Sequence, residues 1–231
     1  MAGFMSLGIL GAILSPATEE AAISPKTLQE AVVVPFRDYL SRKKAVQMLL
    51  FILLFKLGDV VAGKMLSPFL MDTGFSREEI GLVNKGFGMV VSIVGGILGG
   101  GLYAKWGLRR NLWIFGSCQM LSNFVFVAQY YFGKNHWMLL ASVGIENFCG
   151  SLGSVAFVAF LMSLCNRGLA GTQYALLSSF FALTRTLAST PTGFLAEFLG
   201  WPRFFVMSAA LAFPGLLMLR ALWNDIPEEQ V

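Results

Sequence analysis

The chain has 231 residues, of which 56% are hydrophobic and only 13% are charged. Soluble globular domains carry roughly 25% charged residues, so composition excludes an ordinary water-soluble domain. The formal net charge of +4 is no nucleic-acid signal, because the basic residues sit in short loops between apolar runs, where topology determinants sit.

Met1 to Leu14 is apolar but has no basic leader region and no small-residue cleavage site. It is also short for a bilayer span, which needs about 20 residues. Residues 1–14 therefore read as the tail of a preceding transmembrane helix. Residues 15–44 form a polar cytoplasmic connector. Ser15-Pro16 ends the apolar run, Ser24-Pro25 opens a short amphipathic helix with proline in its first turn, and Arg42-Lys43-Lys44 closes it. Six apolar runs follow near 45–67, 79–103, 111–132, 137–164, 173–197 and 203–223, and 224–231 is a cytoplasmic tail. In lipid each run must satisfy its own backbone hydrogen bonds, and the alternation of a barrel strand is missing. The expected fold is an all-α membrane protein with a six-transmembrane-helix bundle over 45–223.

The loops on the side holding 15–44, 104–110, 165–172 and the C-terminus contain ten Lys and Arg residues, against Arg77, Lys134 and Arg203 on the other side. The richer side is expected in the cytoplasm, with both termini. Cys118, Cys149 and Cys165 lie in or at the ends of apolar runs with no metal or disulfide spacing, and no cofactor is expected. His136, alone in an outer loop, reads as a solvated residue. No phosphate-binding loop and no nucleophile with a paired base is present, so an enzyme is not expected.

Polar residues inside the apolar runs are the candidate site. Lys56 and Asp59 lie mid-span in the first run, Asn84 and Lys85 about two turns into the second, Gln119 and Asn123 mid-depth in the third, Glu146 and Asn147 in the fourth and Arg185 in the fifth. A charge at the bilayer centre costs roughly 2.5–3.5 kcal/mol, so these groups face one another or a watery cavity. Two readings stay open: mutual ion pairs that hold the bundle, and a polar pathway that binds solute and relays protons. Lys56 and Asp59, at i and i+3, share a helix face and can pair unaided. Lys56, Lys85 and Arg185 outnumber Asp59 and Glu146, which suits an anionic solute. The two carboxylates are the acidic proton-carrier candidates. Gly95/Gly99 and Gly96/Gly100 allow close helix approach. Pro191 and Pro214 each remove a helical hydrogen bond and are hinge candidates.

The segment Gly100 to Arg110 carries Gly100, Lys105, Gly107, Arg109 and Arg110 at the positions of G-x-x-x-D-[RK]-x-G-x-[RK]-[RK]. It resembles the cytoplasmic gate loop of the major facilitator superfamily, with Ala104 in place of the acidic residue, which puts charge-based latching there in doubt. A longer resemblance runs from about residue 7 to 223. Pro25–Val33, Pro35–Asp38, Lys56–Asp59, Val83–Gly86, Glu146–Gly150, Ala156–Asn166 and Thr172–Ser178 are similar to blocks of the AmpG-type muropeptide permeases. They correspond to the connector and second six-helix half of such carriers. The resemblance implies one half of a major facilitator fold in the bacterial inner membrane. It further implies proton-gradient-driven import of anhydromuropeptides for peptidoglycan recycling, linked in some bacteria to beta-lactamase induction. The implied partners are the bilayer, an anionic muropeptide, and a missing first six-helix half or a second copy. A truncated or split carrier half acting as a membrane interaction module, and an acetyl-coenzyme A-type carrier, are the alternatives.

Overall fold

The computed structural model describes residues 28–226. The expected preceding helix at 1–14, the first part of the connector and the last residues of the tail lie outside the described residues. The described chain is helical: α1 Leu28–Leu40, α2 Ala45–Phe55, α3 Leu57–Asp72, α4 Arg77–Leu82, a π-helical turn Val83–Phe87, α5 Gly88–Phe132, α6 His136–Ser163, α7 Ala170–Ser189, α8 Thr192–Leu199 and α9 Trp201–Ala221.

Among the described residues, four helical stretches are long and apolar enough to cross a membrane: Ala45–Asp72, Arg77–Phe132, His136–Ser163 and Trp201–Ala221. The second of these is two rods. Gly107, at φ 72° and ψ 173°, interrupts α5 in a conformation that favours glycine. Before it, Gly88, Gly95 and Gly99 meet Asn147, Phe148 and Leu152 in turn, so that rod runs parallel to α6. After it, Gln119, Ser122 and Gln129 meet Gly153, Glu146 and Ser142, so the second rod runs antiparallel. The expected loop at 104–110 is thus helical up to this single turn. Asn111 Nδ2 donates to the Gly107 carbonyl at 2.6 Å and caps the break.

The remaining rod, α7 and α8, is broken at Thr190-Pro191. Its eight Ser and Thr residues, Gln173 and Arg185 lower its hydropathy. Pro191 stands at a helix break; Pro214 stands inside the continuous α9. The first rod is also discontinuous. Lys56 lies between α2 and α3 with φ −103° and ψ 0°. Gly215 of α9 packs on this break, where an added Cβ would lie 2.8 Å from the Phe55 Cα. Lys44 Nζ reaches Asp225 at 2.6 Å, so both described ends meet at one end of the bundle, as an even number of rods requires.

Two apolar cores are stacked along the bundle. One, toward the termini, holds Phe51, Phe55, Phe115, Phe157, Phe160 and Leu219. The other, at the far end, holds Phe69, Phe75, Phe126, Phe204 and Phe205. Edge-on ring pairs tie each core, with centroids 4.8 Å apart for Phe51–Phe160 and 4.9 Å for Phe69–Phe205. In lipid such packing, rather than exclusion from water, holds helices together. Between the cores lies a polar layer.

Candidate functional site

The polar layer is built by spacing. Lys56 sits at the helix break and Asp59 one turn later. Gln119, Ser122 and Asn123 line one side of the second α5 rod, and Glu146 and Ser154 face them from α6. Lys56 is 5% exposed, and its Nζ donates to Gln119 Oε1 at 3.0 Å and Ser154 Oγ at 3.3 Å. The same ammonium lies 3.5 Å from Asp59 Oδ2, so the pair expected from their spacing is present. Ser122 Oγ donates to Glu146 Oε2 at 2.9 Å. Gly153 makes room for the Gln119 amide: an added Cβ there would collide with Gln119 Oε1.

Two cavities adjoin this cluster and share Asp59, Glu146 and Ser154 in their walls. The larger, about 650 Å³, also takes in Lys56, Lys64, Tyr174, Phe181 and Arg185. The smaller, about 450 Å³, takes in Ser92, Asn147 and Gly150. Lys56, Asp59 and Glu146 carry one positive and two negative formal charges, so a single proton neutralises the triad. The large cavity as a whole has three cations against two carboxylates, together with aromatic faces. That combination suits an anion with an apolar or sugar body.

Other expected residues are placed elsewhere. Asn123 is buried beside the cluster, but neither of its amide atoms has a partner and it lines neither cavity. Asn84 accepts from Asn147 Nδ2 at 3.4 Å, and Asn147 Oδ1 accepts from Ser92 at 3.1 Å. Lys85 does not join the central cavities; with Asn84 it lines a separate cavity of about 360 Å³ toward the far end. Lys64 occupies the cavity position that the sequence reading gave to Lys85. Its signal was spacing, because Lys56, Val60 and Lys64 recur every four residues on one helix face.

At the gate loop, Gly100, Lys105 and Arg110 are exposed. Arg109 bridges to the chain's last described turn, donating from Nε and a terminal nitrogen to the Ile226 carbonyl at 2.9 and 2.7 Å and lying over the Trp223 ring. A second network at this end was not expected. Arg42 pairs with Asp38 at 2.6 Å and donates to the Leu164 carbonyl; Gln173 Nε2 donates to Asp38 at 2.8 Å while its Oε1 accepts from the Asn166 amide at 2.7 Å. The network fastens α1 to the facing ends of α6 and α7. Hydrogen bonds from Arg42 and Gln173 hold the Asp38 carboxyl below its ordinary pKa. His136, expected to be solvated, is exposed and pairs with Glu79 at 2.9 Å, joined there by Lys134 at 3.4 Å.

The chain is similar to an anhydromuropeptide permease of Escherichia coli (strain K12), with 40% identity over 220 residues, 95% of this chain and 45% of that protein. It is 37% identical over 192 residues, 83% of this chain, to a Rickettsia felis protein described as a transporter, AmpG 4, of which that stretch is 46%. A Rickettsia bellii counterpart, AmpG 1, is 31% identical over 180 residues, 78% of this chain and 44% of that protein. The chain thus spans about half the length of the curated relatives it matches. The Major Facilitator Superfamily profile matches residues 48–231, which take in every rod of the bundle but the first residues of α2. With its helical rods packed around a polar layer, this multi-pass membrane protein belongs to the Major Facilitator Superfamily.

Proposed function

We propose that the chain forms one six-helix half of a proton-coupled carrier that imports anhydromuropeptides for peptidoglycan recycling. The observation that carries the reading is the Lys56–Asp59–Glu146 cluster, held between two apolar cores and open to a cavity of about 650 Å³. A lone ion pair for bundle stability needs no such cavity and no third charge. Similarity to a permease named for anhydromuropeptides supports the solute class. No enzymatic step is part of this reading. The coupling ion is the proton, loaded on Asp59 or Glu146 when the two carboxylates share one lysine.

The richer Lys and Arg content of the end holding both described termini supports a cytoplasmic placement of that end, in the bacterial inner membrane. Gly100, Lys105, Gly107, Arg109 and Arg110 then form the cytoplasmic gate region, with Arg109 gripping the C-terminal turn where the usual acid is Ala104. Alternating access would have this bundle rock against a second six-helix bundle, with Pro191 and Pro214 as bending points. Because the matched relatives are about twice as long, transport is assigned to an assembly of both bundles rather than to this half alone.

The test is uptake of labelled anhydromuropeptide into vesicles holding the assembled carrier under an imposed proton gradient. Asp59→Asn and Glu146→Gln are each expected to abolish accumulation while leaving membrane insertion intact. Normal accumulation by both variants would refute an obligatory role for either carboxylate. Transport of labelled acetyl-coenzyme A, with none of muropeptide, would replace the solute assignment.

A further inference from the structure

The cavity that holds Lys85 is separate from the central ones and has its own chemistry. It measures about 360 Å³ and is lined by Ser67, Met71, Arg77, Ile80, Gly81, Asn84 and Lys85. Two cations, an amide and a hydroxyl converge there, and no carboxylate lines it. Of the acids that open α4, Glu79 is turned away: it closes a capping box with Ser76 and is held by Lys134 and His136.

Helix register builds the site, and a backbone irregularity adjoins it. Between Arg77 and Lys85 the helix widens into the π turn Val83–Phe87, in which the Gly88 amide donates to the Val83 carbonyl five residues back. Such turns insert a residue and re-aim side chains, and they recur at functional sites. Arg77, Ile80, Gly81, Asn84 and Lys85 stand at i, i+3, i+4, i+7 and i+8, one helix face, and so share the cavity wall, while Asn84 Oδ1 accepts from Asn147, which lines the 450 Å³ central cavity. Asn84 therefore belongs to both places.

We propose that this cavity is an oxyanion site, taking a carboxylate or phosphate group at the far end of the bundle before, or independently of, occupancy of the central cavity. Arg77 supplies the planar two-nitrogen fork that matches an oxyanion, Lys85 a mobile point charge, and Ser67 and Asn84 neutral donors. The site is read from its own lining and would take an oxyanion whatever the central cavity carries. The anion has two sources, a free carboxylated solute or the phosphate of an anionic lipid headgroup.

The experiment uses the chain in nanodiscs of phosphatidylcholine, with N-acetylmuramic acid as the anionic probe and its methyl ester as the neutral one. Binding is read by calorimetry for wild type, Arg77→Gln/Lys85→Gln, and Arg203→Gln, a cation at the same end outside the cavity. In a second arm, native mass spectrometry counts phosphatidylglycerol retained from mixed-lipid nanodiscs. A loss of at least tenfold in acid binding for the double variant alone, with the ester weak throughout, supports a solute site. No acid binding, but phosphatidylglycerol retained by wild type and Arg203→Gln and lost by the double variant, supports the oxyanion site with lipid as its source. Acid and lipid binding that the double variant leaves unchanged, or a wild type that binds neither, overturns the proposal.

Discussion

Gly153 lets the Gln119 amide approach Lys56. An added Cβ would collide with Gln119 Oε1, lie 2.9 Å from Gln119 Cδ and 3.4 Å from Lys56 Nζ. The obstructed atoms are the end of a flexible side chain, so Gly153→Ala should leave the backbone in place and push the amide off Lys56. The interaction lost is the 3.0 Å bond from a buried ammonium. Hydrogen bonds to charged groups contribute about 1.5–3 kcal/mol, and that is the expected destabilisation. The assay is denaturant unfolding of the purified chain in detergent micelles. Gly150→Ala is the control, because its nearest neighbour would be Gln119 Nε2 at 3.9 Å, ordinary contact. The decisive step is a double-mutant cycle. In a Gln119→Ala background, Gly153→Ala should be neutral to within about 0.5 kcal/mol. The full loss in that background would show that Gly153 serves packing unrelated to the lysine and would refute the reasoning.

Lys56→Met should destabilise the same unfolding transition by about 3–5 kcal/mol, because it leaves Asp59 and Glu146 in the layer without their cation. Adding Asp59→Asn should restore most of that loss; no recovery would mean that the methionine fails for reasons of shape. Asp38→Asn should raise hydrogen exchange in α1, as the Arg42 pair weakens and the helix loosens from α7. The pH dependence has a definite sign. Arg42 and Gln173 depress the folded-state pKa of Asp38, so its contribution is complete above the unfolded value of about 3.9 and is lost as pH falls through the lower folded value. Protection of α1, corrected for intrinsic exchange, should be flat from neutral pH down to about 5 and fall only below about 4. A fall between pH 7 and 5 would assign the fastening to another group.

Length, composition and apolar periodicity made the rods legible, because a bilayer demands long apolar helices and little else. Lys56–Asp59 was legible because i and i+3 share a face. The turn at Gly107 was legible as a boundary, but not the helical course of residues 104–106, since basic residues with a glycine read equally as loop or helix end. The placement of Lys85 was not legible. Arg77, Gly81, Asn84 and Lys85 share one helix face by spacing, but which neighbour that face meets, and so which cavity it lines, is set by tertiary packing alone. The Asp38–Arg42–Gln173 network was hidden for another reason: residues 38 and 173 lie four rods apart in the chain, and only tertiary closure joins them. Lys64 could have been found by extending the Lys56 face by two turns.

Two of the rods that carry buried polar groups are irregular where those groups sit. A continuous α-helix in lipid offers side chains on fixed faces and no free carbonyl or amide, so a polar layer built from regular rods meets itself only where faces happen to align. The rods carrying Lys56 and Lys85 each depart from this regularity, at the break at Lys56 and the π turn Val83–Phe87. At the first, an ammonium meets Gln119, Ser154 and Asp59 at once; the second begins where the face carrying Arg77, Gly81, Asn84 and Lys85 ends. Glycines give room at both: Gly215 of the contacting α9 admits the Phe55 backbone, and Gly88, directly after the π turn, admits Asn147. Charged groups inside a membrane are tolerated only where protein or water satisfies them. Here that satisfaction comes from tertiary partners: Lys56, at a helix break, reaches Gln119, Ser154 and Asp59, while Glu146, on the unbroken α6, is met by the Ser122 hydroxyl.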